Sequence, residues 1–339
     1  GKMKNSYISI FFFVLSFGLT GNAYTQRIYI EGNQFKVNEK PIFLNGSNTP
    51  WIAWNDFGIG RFNYAHWDAA FQDLENNGVN STRVWISCNG EKNPLQLSED
   101  GFVKGPTQAF LNDLDKLVEI ASKHKVYLMA ALISFDHTIQ GRPFAERWRK
   151  MYDKKENMDS FVENYAATIA KRYNNNPYFF AFDVCNEIMW VSESENNDRG
   201  NYPWATLQYL VGKTAQRVHE ESEILVCVSN YLKYTGPGYQ GNKWDDHALQ
   251  AQVDDEDAYL DFYKIHYYSW VHKWFGGFHF DYSPDSLGIG EKPCITGEIP
   301  ANGGYDSNNR LVYTTKEYYE KHLENGWSGC MPWTSNGVD

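Results

Sequence analysis

Short apolar runs alternate with amphipathic stretches along most of the chain. The apolar runs have the length of buried strands, and the stretches between them place apolar residues at helical spacing. This alternation predicts strands that are mostly separated by helices. The predicted strands are Pro41–Gly46, Val79–Ile86, Val126–Ile133, Tyr178–Val184, Ile224–Ser229, a brief strand within Asp257–Tyr267, Pro293–Glu298 and Gly329–Trp333.

The predicted helices lie between these strands and carry apolar residues on one face. Pro203 stands at the first turn of one helix, where its missing N–H is tolerated, and Asn77-Gly78 ends another. The predicted helices are His66–Asn76, Pro106–Lys123, Met158–Tyr173, Pro203–Glu221 and Thr315–Asn325.

Eight apolar strands separated by helices predict a parallel sheet that is covered by helices and closed into a barrel. We expect an α/β protein with a single (β/α)8 catalytic domain over residues 24–339. An open doubly wound sheet is the alternative, but no Gly-rich turn follows the first strand to support nucleotide binding. Only six residues follow Trp333, so the last helix is expected to be short or missing.

Residues 1–23 have the pattern of a secretory signal peptide. Lys2 and Lys4 are followed by the apolar run Ile8–Leu15 and then by the small residues at Gly21–Ala23. The run is shorter than the roughly 20 residues that a membrane-spanning helix needs, which disfavours the alternative of a membrane anchor. We therefore expect a secreted protein, extracellular or periplasmic, that has no membrane association after cleavage.

The net charge and the spacing of the cysteines disfavour nucleic-acid binding and a metal site. A net charge of −11 without Lys/Arg clusters disfavours nucleic-acid binding, because phosphate contacts need cations. The five cysteines lack CxxC or close Cys/His spacing, and most lie in apolar runs, so we interpret them as small buried hydrophobic residues. We expect a monomer that uses no metal and no cofactor.

Two glutamates follow predicted strands at the barrel rim where functional residues collect. Glu187 follows the fourth strand and Glu298 ends the seventh. Glycoside hydrolysis needs such a pair, with one carboxyl group protonated and the other ionised. A separation of about 5–5.5 Å would give a retaining reaction through a covalent intermediate.

Other polar and aromatic residues are predicted on the same rim: Arg83, Asn186, His266, Tyr268 and Trp333. Each one alone has an ordinary structural explanation, such as an ion pair for Arg83 or a hydrogen-bonded core histidine for His266. Their joint placement in barrel order favours a catalytic site.

This ordered set resembles glycoside hydrolase family 5 of clan A, over roughly Phe35–Trp333. The resemblance implies that Glu187 is the acid/base and Glu298 the nucleophile, and that Asn186 binds the 2-hydroxyl group of the sugar. The resemblance also implies that Arg83 and Tyr268 hold Glu298 ionised and oriented, and that His266 lines the site near Glu187. It further implies that Trp333 forms the floor on which the sugar stacks, and that His137 is the histidine found near the end of the third strand.

Two stretches resemble the endo-β-1,4-mannanases of the family. Ser81–Phe102 is similar to their Arg-x-Trp…Pro-Leu-Gln segment, and Asn48–Trp54 is similar to their first loop. The expected substrate is mannan or glucomannan. An endo-β-1,4-glucanase acting on cellulose or another β-glucan, a transglycosylase, and a non-catalytic carbohydrate-binding barrel remain alternatives.

Several tryptophans in polar loops suit the apolar faces of sugar rings. Trp54 and Trp190 are the candidates that we include in the substrate site. The choice between sugar platforms and loop packing stays open for all five loop tryptophans: Trp51, Trp54, Trp190, Trp270 and Trp274.

Overall fold

Eight parallel strands close into a barrel in the computed structural model, which describes residues 26–236 and 240–338. The predicted signal peptide at residues 1–23 lies outside these residues. The strands, numbered around the barrel, are β1 (Leu44–Asn48), β2 (Ser81–Trp85), β3 (Tyr127–Ala131), β4 (Phe179–Asp183), β5 (Leu225–Cys227 and Ser229–Asn230), β6 (Tyr263–His266), β7 (Cys294–Glu298) and β8 (Gly329–Cys330).

The barrel closes through the interrupted strand β5. Its first half pairs in parallel with β4, and its second half pairs in parallel with β6. At the opposite side of the ring, β8 pairs with both β1 and β7. The predicted (β/α)8 barrel is therefore confirmed, and the open sheet is excluded.

Ten helices of the described residues surround the strands or lie in the loops above them. They are α1 (Tyr64–Asn76), α2 (Gln108–His124), α3 (Ala145–Asp153), α4 (Lys155–Phe161), α5 (Ala167–Tyr173), α6 (Trp204–Glu221), α7 (Leu232–Thr235), α8 (Asp246–Val253), α9 (Ser269–Phe275) and α10 (Thr315–Glu324). A π-helical turn, Val162–Ala166, joins α4 to α5, so the predicted helix Met158–Tyr173 is one interrupted helix.

The predicted helix boundaries follow local capping chemistry closely. Thr107 accepts a hydrogen bond from the backbone N–H of Phe110 and starts α2, while Thr314 and Glu317 form a capping box at the start of α10. The sequence pattern did not predict α3, α7, α8 or α9, which are short helices in the loops that follow strands.

The first predicted strand, Pro41–Gly46, starts three residues and ends two residues before the barrel strand Leu44–Asn48. Pro41 pairs in a small antiparallel sheet formed by Tyr29–Glu31, Gln34–Val37 and Lys40–Pro41, and the barrel strand begins only at Leu44. This sheet lies at the amino ends of the barrel strands, where Phe35 packs edge-on against Phe262 at 5.1 Å between ring centroids.

None of the helices within the described residues has the length and apolar character needed to cross a bilayer. Among residues 331–338, which follow β8, no helix occurs. All five cysteines are buried and unpaired, as interpreted from the sequence.

Candidate active site

A cleft of about 800 Å³ opens at the carboxyl ends of the strands. Both predicted catalytic residues line it, and both are more than nine-tenths buried. An oxygen of Glu187 lies within 4.8 Å of an oxygen of Glu298. The two carboxyl groups therefore face each other across a gap that suits a reacting sugar carbon and its leaving oxygen.

Glu298 is held by a cation and a hydroxyl group. Arg83 Nη1 donates to Oε1 at 2.8 Å, and the Tyr268 hydroxyl donates to Oε2 at 2.6 Å. Burial and the nearby negative charge raise the pKa of Tyr268, so its hydroxyl stays a neutral donor. Both contacts stabilise the ionised carboxylate and fix its orientation.

Arg83 crosses the barrel interior and uses its whole guanidinium fork. Besides Glu298, it donates to Asp183 from Nε at 2.9 Å and to Asn48 from Nη1 at 3.0 Å. Nη2 donates to Asn186 at 2.6 Å. Arg83 thereby ties together β1, β2, β4 and β7, and it places Asn186 beside the carboxylate pair.

A second buried ion pair lies beneath this arginine. Lys264 Nζ donates to Asp183 Oδ2 at 2.6 Å, and both side chains are completely buried. Burial by itself would raise the pKa of Asp183, but the charges of Lys264 and Arg83 outweigh it and lower that pKa. The two cations balance the carboxylates of Asp183 and Glu298, so this buried group carries no net charge.

A register shift at the end of β7 aims Glu298 into the site. Ile265 pairs with Thr296 but His266 pairs with Glu298, so Gly297 is an extra residue in the strand. A Cβ atom at Gly297 would lie 2.4 Å from Lys264 Cγ and 3.0 Å from His266 Cδ2. Only glycine therefore fits at position 297, where the aliphatic chain of Lys264 passes.

Glu187 leaves β4 in a left-handed conformation, with φ 49° and ψ 48°. His266 Nδ1 lies 2.8 Å from its Oε1, and Trp190 Nε1 donates to its Oε2 at 2.8 Å. Burial and the negative charge of Glu298 raise the pKa of Glu187 to about 8. Glu187 is thus protonated at neutral pH while its neighbour is paired with a cation.

His266 is a neutral imidazole in this site. Burial and the charges of Arg83 and Lys264 hold its pKa well below the usual value. A neutral ring next to Glu187 adds no positive charge, so it leaves the carboxyl group in its protonated form.

Two aromatic groups line the cleft near the carboxylate pair. One consists of four tryptophans, with contacting rings whose centroids lie 5.0–6.0 Å apart: Trp51, Trp54, Trp85 and Trp333. The other lies beside Glu187 and contains Phe135, Trp190, Tyr231 and Trp270. Rings of both groups line the cleft together with the two glutamates, so the cleft offers flat apolar surfaces near the acids.

The profile of the Cellulase family (glycosyl hydrolase family 5) matches residues 35–330. The chain belongs to glycosyl hydrolase family 5. It is 23% identical to a mannan endo-1,4-beta-mannosidase of Cryptopygus antarcticus, over 97% of this chain and 90% of that protein. It is 20% identical to the mannan endo-1,4-beta-mannosidase of Mytilus edulis, over 92% of this chain and 89% of that protein.

Solved structures of two mannanases share the fold. The beta-mannanase of the blue mussel Mytilus edulis superimposes with a TM-score of 0.79 at 20% identity, and 93% of each chain is covered. The beta-1,4-D-mannanase of Cryptopygus antarcticus gives a TM-score of 0.80 at 20% identity, covering 92% of this chain and 90% of that one.

One predicted site residue of this family 5 barrel lies elsewhere. His137 is fully buried behind the loop that follows β3, with Nδ1 2.6 Å from the Ser134 carbonyl oxygen and Nε2 2.9 Å from the Tyr152 hydroxyl. Its ring packs edge-on against Trp148 at 5.5 Å. The short 3-10 turn Phe135–Thr138 rotates it inward, so its place in the substrate site is corrected to a structural position.

The remaining predicted residues lie together. Arg83 and Tyr268 contact Glu298, His266 contacts Glu187, and Asn186 contacts Arg83.

The structure also resolves in part which loop tryptophans lie at the cleft. Trp51, Trp54, Trp190 and Trp270 line the cleft, whereas Trp274 lines a neighbouring pocket. Sequence reasoning missed the following cleft residues: Trp85, Phe135, Asp136, Arg142, Arg199 and Tyr231.

The spacing of Glu187, His266 and Glu298 would also allow a metal ion, since one ligand atom of each lies within 4.8 Å of the others. However, Glu298 already accepts from Arg83 and Tyr268, and an arginine cation in contact with the carboxylate opposes a second cation. Contacts among the side chains themselves account for the arrangement.

Proposed function

We propose that the protein is a retaining endo-β-1,4-mannanase with Glu187 as the acid/base and Glu298 as the nucleophile. One observation carries the proposal. The two carboxyl groups lie within 4.8 Å in one cleft, one with a pKa raised to about 8 and the other bound to Arg83 and Tyr268. A double displacement needs one carboxyl group that donates a proton and a second that acts as the nucleophile.

In the first step, Glu298 attacks the anomeric carbon and the bond from that carbon to the leaving oxygen breaks. Glu187 transfers its proton to the leaving oxygen, so the released chain carries a hydroxyl group. The products are a sugar ester on Glu298 and an ionised Glu187. The Tyr268 hydroxyl and Arg83 keep the attacking oxygen in position until the bond forms.

In the second step, Glu187 takes a proton from water, and the hydroxide attacks the anomeric carbon and releases Glu298. The change of role follows from charge. Once Glu298 is esterified it carries no charge, so the Coulombic contribution that raised the pKa of Glu187 disappears. Two inversions at the same carbon give overall retention of configuration.

Asn186 is suited to the 2-hydroxyl group of the bound sugar. Its Oδ1 accepts from Arg83 at 2.6 Å, and its Nδ2 donates to Ser134 at 3.2 Å. The amide orientation is therefore fixed, and one N–H of the amide remains for a sugar oxygen. Because mannose and glucose differ at this hydroxyl group, Asn186 lies where the two sugars are distinguished.

Mannan as the substrate is supported by the names of the relatives, which are mannan endo-1,4-beta-mannosidases. The second candidate is an endo-β-1,4-glucanase, because the family itself carries the name Cellulase. Incubation with mannan, glucomannan, cellulose and xyloglucan, followed by chromatography of the products, separates the two. Internal cleavage of mannan supports the proposal, and cleavage of cellulose alone contradicts it. Binding without products from any polymer would indicate a carbohydrate-binding barrel.

Export and oligomeric state are parts of the same proposal. The basic and apolar pattern of residues 1–23 supports secretion by a cleavable signal peptide. A monomer remains the expected state, which the elution volume of the mature protein in size-exclusion chromatography with light scattering would test.

A further inference from the structure

Arg199 lies at the cleft, where its charge acts on the Asp136 carboxyl group, but its guanidinium has no hydrogen-bond or ion-pair partner among the described residues. The chain has ten arginines, all among the described residues, and the other nine donate side-chain hydrogen bonds or form ion pairs. No hydrogen bond or ion pair of the Arg199 guanidinium occurs within the described part of the chain, and its Nε is buried without an acceptor. An unpaired buried donor is destabilising, so a role in binding is the physical explanation to test.

Two rings hold this guanidinium in place. Its central carbon lies 5.2 Å from the Phe135 ring centroid and 4.9 Å from the Trp190 ring centroid. Cation–π contacts fix a guanidinium without using its N–H groups. Arg199 therefore presents an oriented fork of donors at the cleft, and little side-chain entropy remains to be lost on binding.

The position of Arg199 relative to the two acids gives the direction of the bound chain. It packs on Trp190, whose Nε1 donates to Glu187 at 2.8 Å. Trp333 instead lies next to Glu298, because its backbone N–H donates to the carbonyl oxygen of the neighbouring Ile299. Since the acid/base stands beside the leaving oxygen, the Arg199 side of the cleft is the leaving-group side.

We propose that Arg199 binds the leaving-group sugar, by donating hydrogen bonds from its guanidinium to the hydroxyl oxygens of that ring. The inference rests on the proposed hydrolase function. It makes Arg199 a specificity-determining residue, because only a leaving group with suitably placed hydroxyl groups can use the fork. Phe135 and Trp190 then serve both as supports for the cation and as apolar walls of the same subsite.

The test compares two substrates that differ only in the leaving group. The leaving group of mannohexaose is a sugar. The leaving group of a nitrophenyl β-mannotrioside cleaved at its aryl bond is nitrophenol, which has no sugar hydroxyl groups for Arg199. Arg199→Met keeps an unbranched side chain beside the two rings but removes the charge and all guanidinium donors. Arg199→Lys keeps the charge but removes the planar fork, and Arg147→Gln, outside the cleft, controls for loss of a surface cation.

We expect Arg199→Met to lower kcat/KM on mannohexaose about tenfold or more, the order that a lost hydrogen bond to a charged group produces. On the aryl substrate the change should stay within about twofold, and Arg199→Lys should recover only part of the loss. Equal losses on both substrates would assign Arg199 a structural role, and no loss on mannohexaose would also overturn the proposal. If the unmodified enzyme cleaves neither substrate, the hydrolase function itself has failed, which is a distinguishable result.

Discussion

Trp190 Nε1 donates a hydrogen bond of 2.8 Å to Oε2 of Glu187. A residue that the sequence left open between a sugar platform and loop packing thus contacts the proposed acid/base directly. This bond favours the ionised form of Glu187 and moderates a pKa that burial and Glu298 raise. The resulting pKa of about 8 keeps the proton on Glu187 at neutral pH but leaves it removable at mildly alkaline pH.

The first prediction concerns the alkaline limb of the pH profile. Because Glu187 must be protonated in the first step, kcat/KM should fall as the pH rises through about 8. Trp190→Phe removes the hydrogen bond that lowers the pKa of Glu187, so its alkaline limb should move to higher pH. Trp54→Phe is the matched control, since Trp54 lines the same cleft but its indole N–H has no hydrogen-bond partner. A limb that moves to lower pH in Trp190→Phe, or equally in both variants, would contradict the assignment.

The second prediction separates the roles of the two glutamates. Glu298→Ala and Glu187→Ala should each lower kcat on mannan by several orders of magnitude and leave the circular dichroism spectrum unchanged. Azide can occupy the space that each carboxylate leaves. In Glu298→Ala it should attack the intact substrate and give a glycosyl azide of inverted configuration, provided the substrate has an activated leaving group.

In Glu187→Ala, azide should instead attack the sugar ester on Glu298 and give a glycosyl azide of retained configuration. NMR of the anomeric proton distinguishes the two products. The reverse pairing of variants and configurations would exchange the roles of the two residues.

The third prediction concerns the ion pair of Lys264 and Asp183 beneath the site. Lys264→Met leaves Asp183 with less compensating charge in a fully buried position, and breaking such a pair costs roughly 3–5 kcal/mol of unfolding free energy. Urea denaturation would measure this loss. The double variant Lys264→Met/Asp183→Asn removes both charges and should be more stable than Lys264→Met alone. A double variant that is less stable than Lys264→Met would show that the charges do not act as a pair.

The fourth prediction uses a buried pair of histidines behind β7. Thr296 Oγ1 lies 2.7 Å from His279 Nε2 and 2.6 Å from His322 Nε2, and the Tyr318 carbonyl oxygen lies 2.6 Å from His322 Nδ1. Burial lowers the pKa of both histidines, so we take both rings as neutral. In a neutral His322 ring, Nδ1 donates to the carbonyl oxygen and Nε2 accepts from the threonine hydroxyl, which in turn accepts from His279.

Burial lowers the pKa of His322 to about 4, below the value of roughly 6.5 in an unfolded chain. The unfolded state then binds more protons, so stability is complete above about pH 6.5 and is lost as the pH falls towards 4. The unfolding free energy of His322→Asn should fall less steeply over this interval than that of the unmodified protein. His66→Asn, at an exposed position, should keep the original slope.

The barrel and most of the site could be predicted from the sequence, because the residues that follow each apolar strand can be read directly from the chain. Glu187 and Glu298 each follow a recognisable apolar strand, and parallel strands bring their carboxyl ends to one rim. Arg83 and Tyr268 are positioned by the same rule. The contacts that set the charge states depend on register instead, and a shift of one residue at Gly297 redirects Glu298.

What the sequence did not predict lies in loops or joins distant strands. Arg199 and Trp190 meet because the long loop between β4 and α6 folds back on itself, with Ser192 paired to Tyr202. His137 turns inward through a single 3-10 turn. Asp183 and Lys264 are 81 residues apart and pair across the barrel interior. A lysine in the middle of an apolar strand was the signal for this pair, because a buried lysine needs a charged partner.

The most direct test of the central claim is to trap the covalent intermediate. A 2-deoxy-2-fluoro-mannoside with a good leaving group forms the ester quickly and hydrolyses it slowly, because the fluorine destabilises the positively charged transition states. Mass spectrometry of the inactivated protein should show one added fluorosugar, carried by the peptide that contains Glu298. A label on any other residue, or a product of inverted configuration from the unmodified enzyme, would contradict the account.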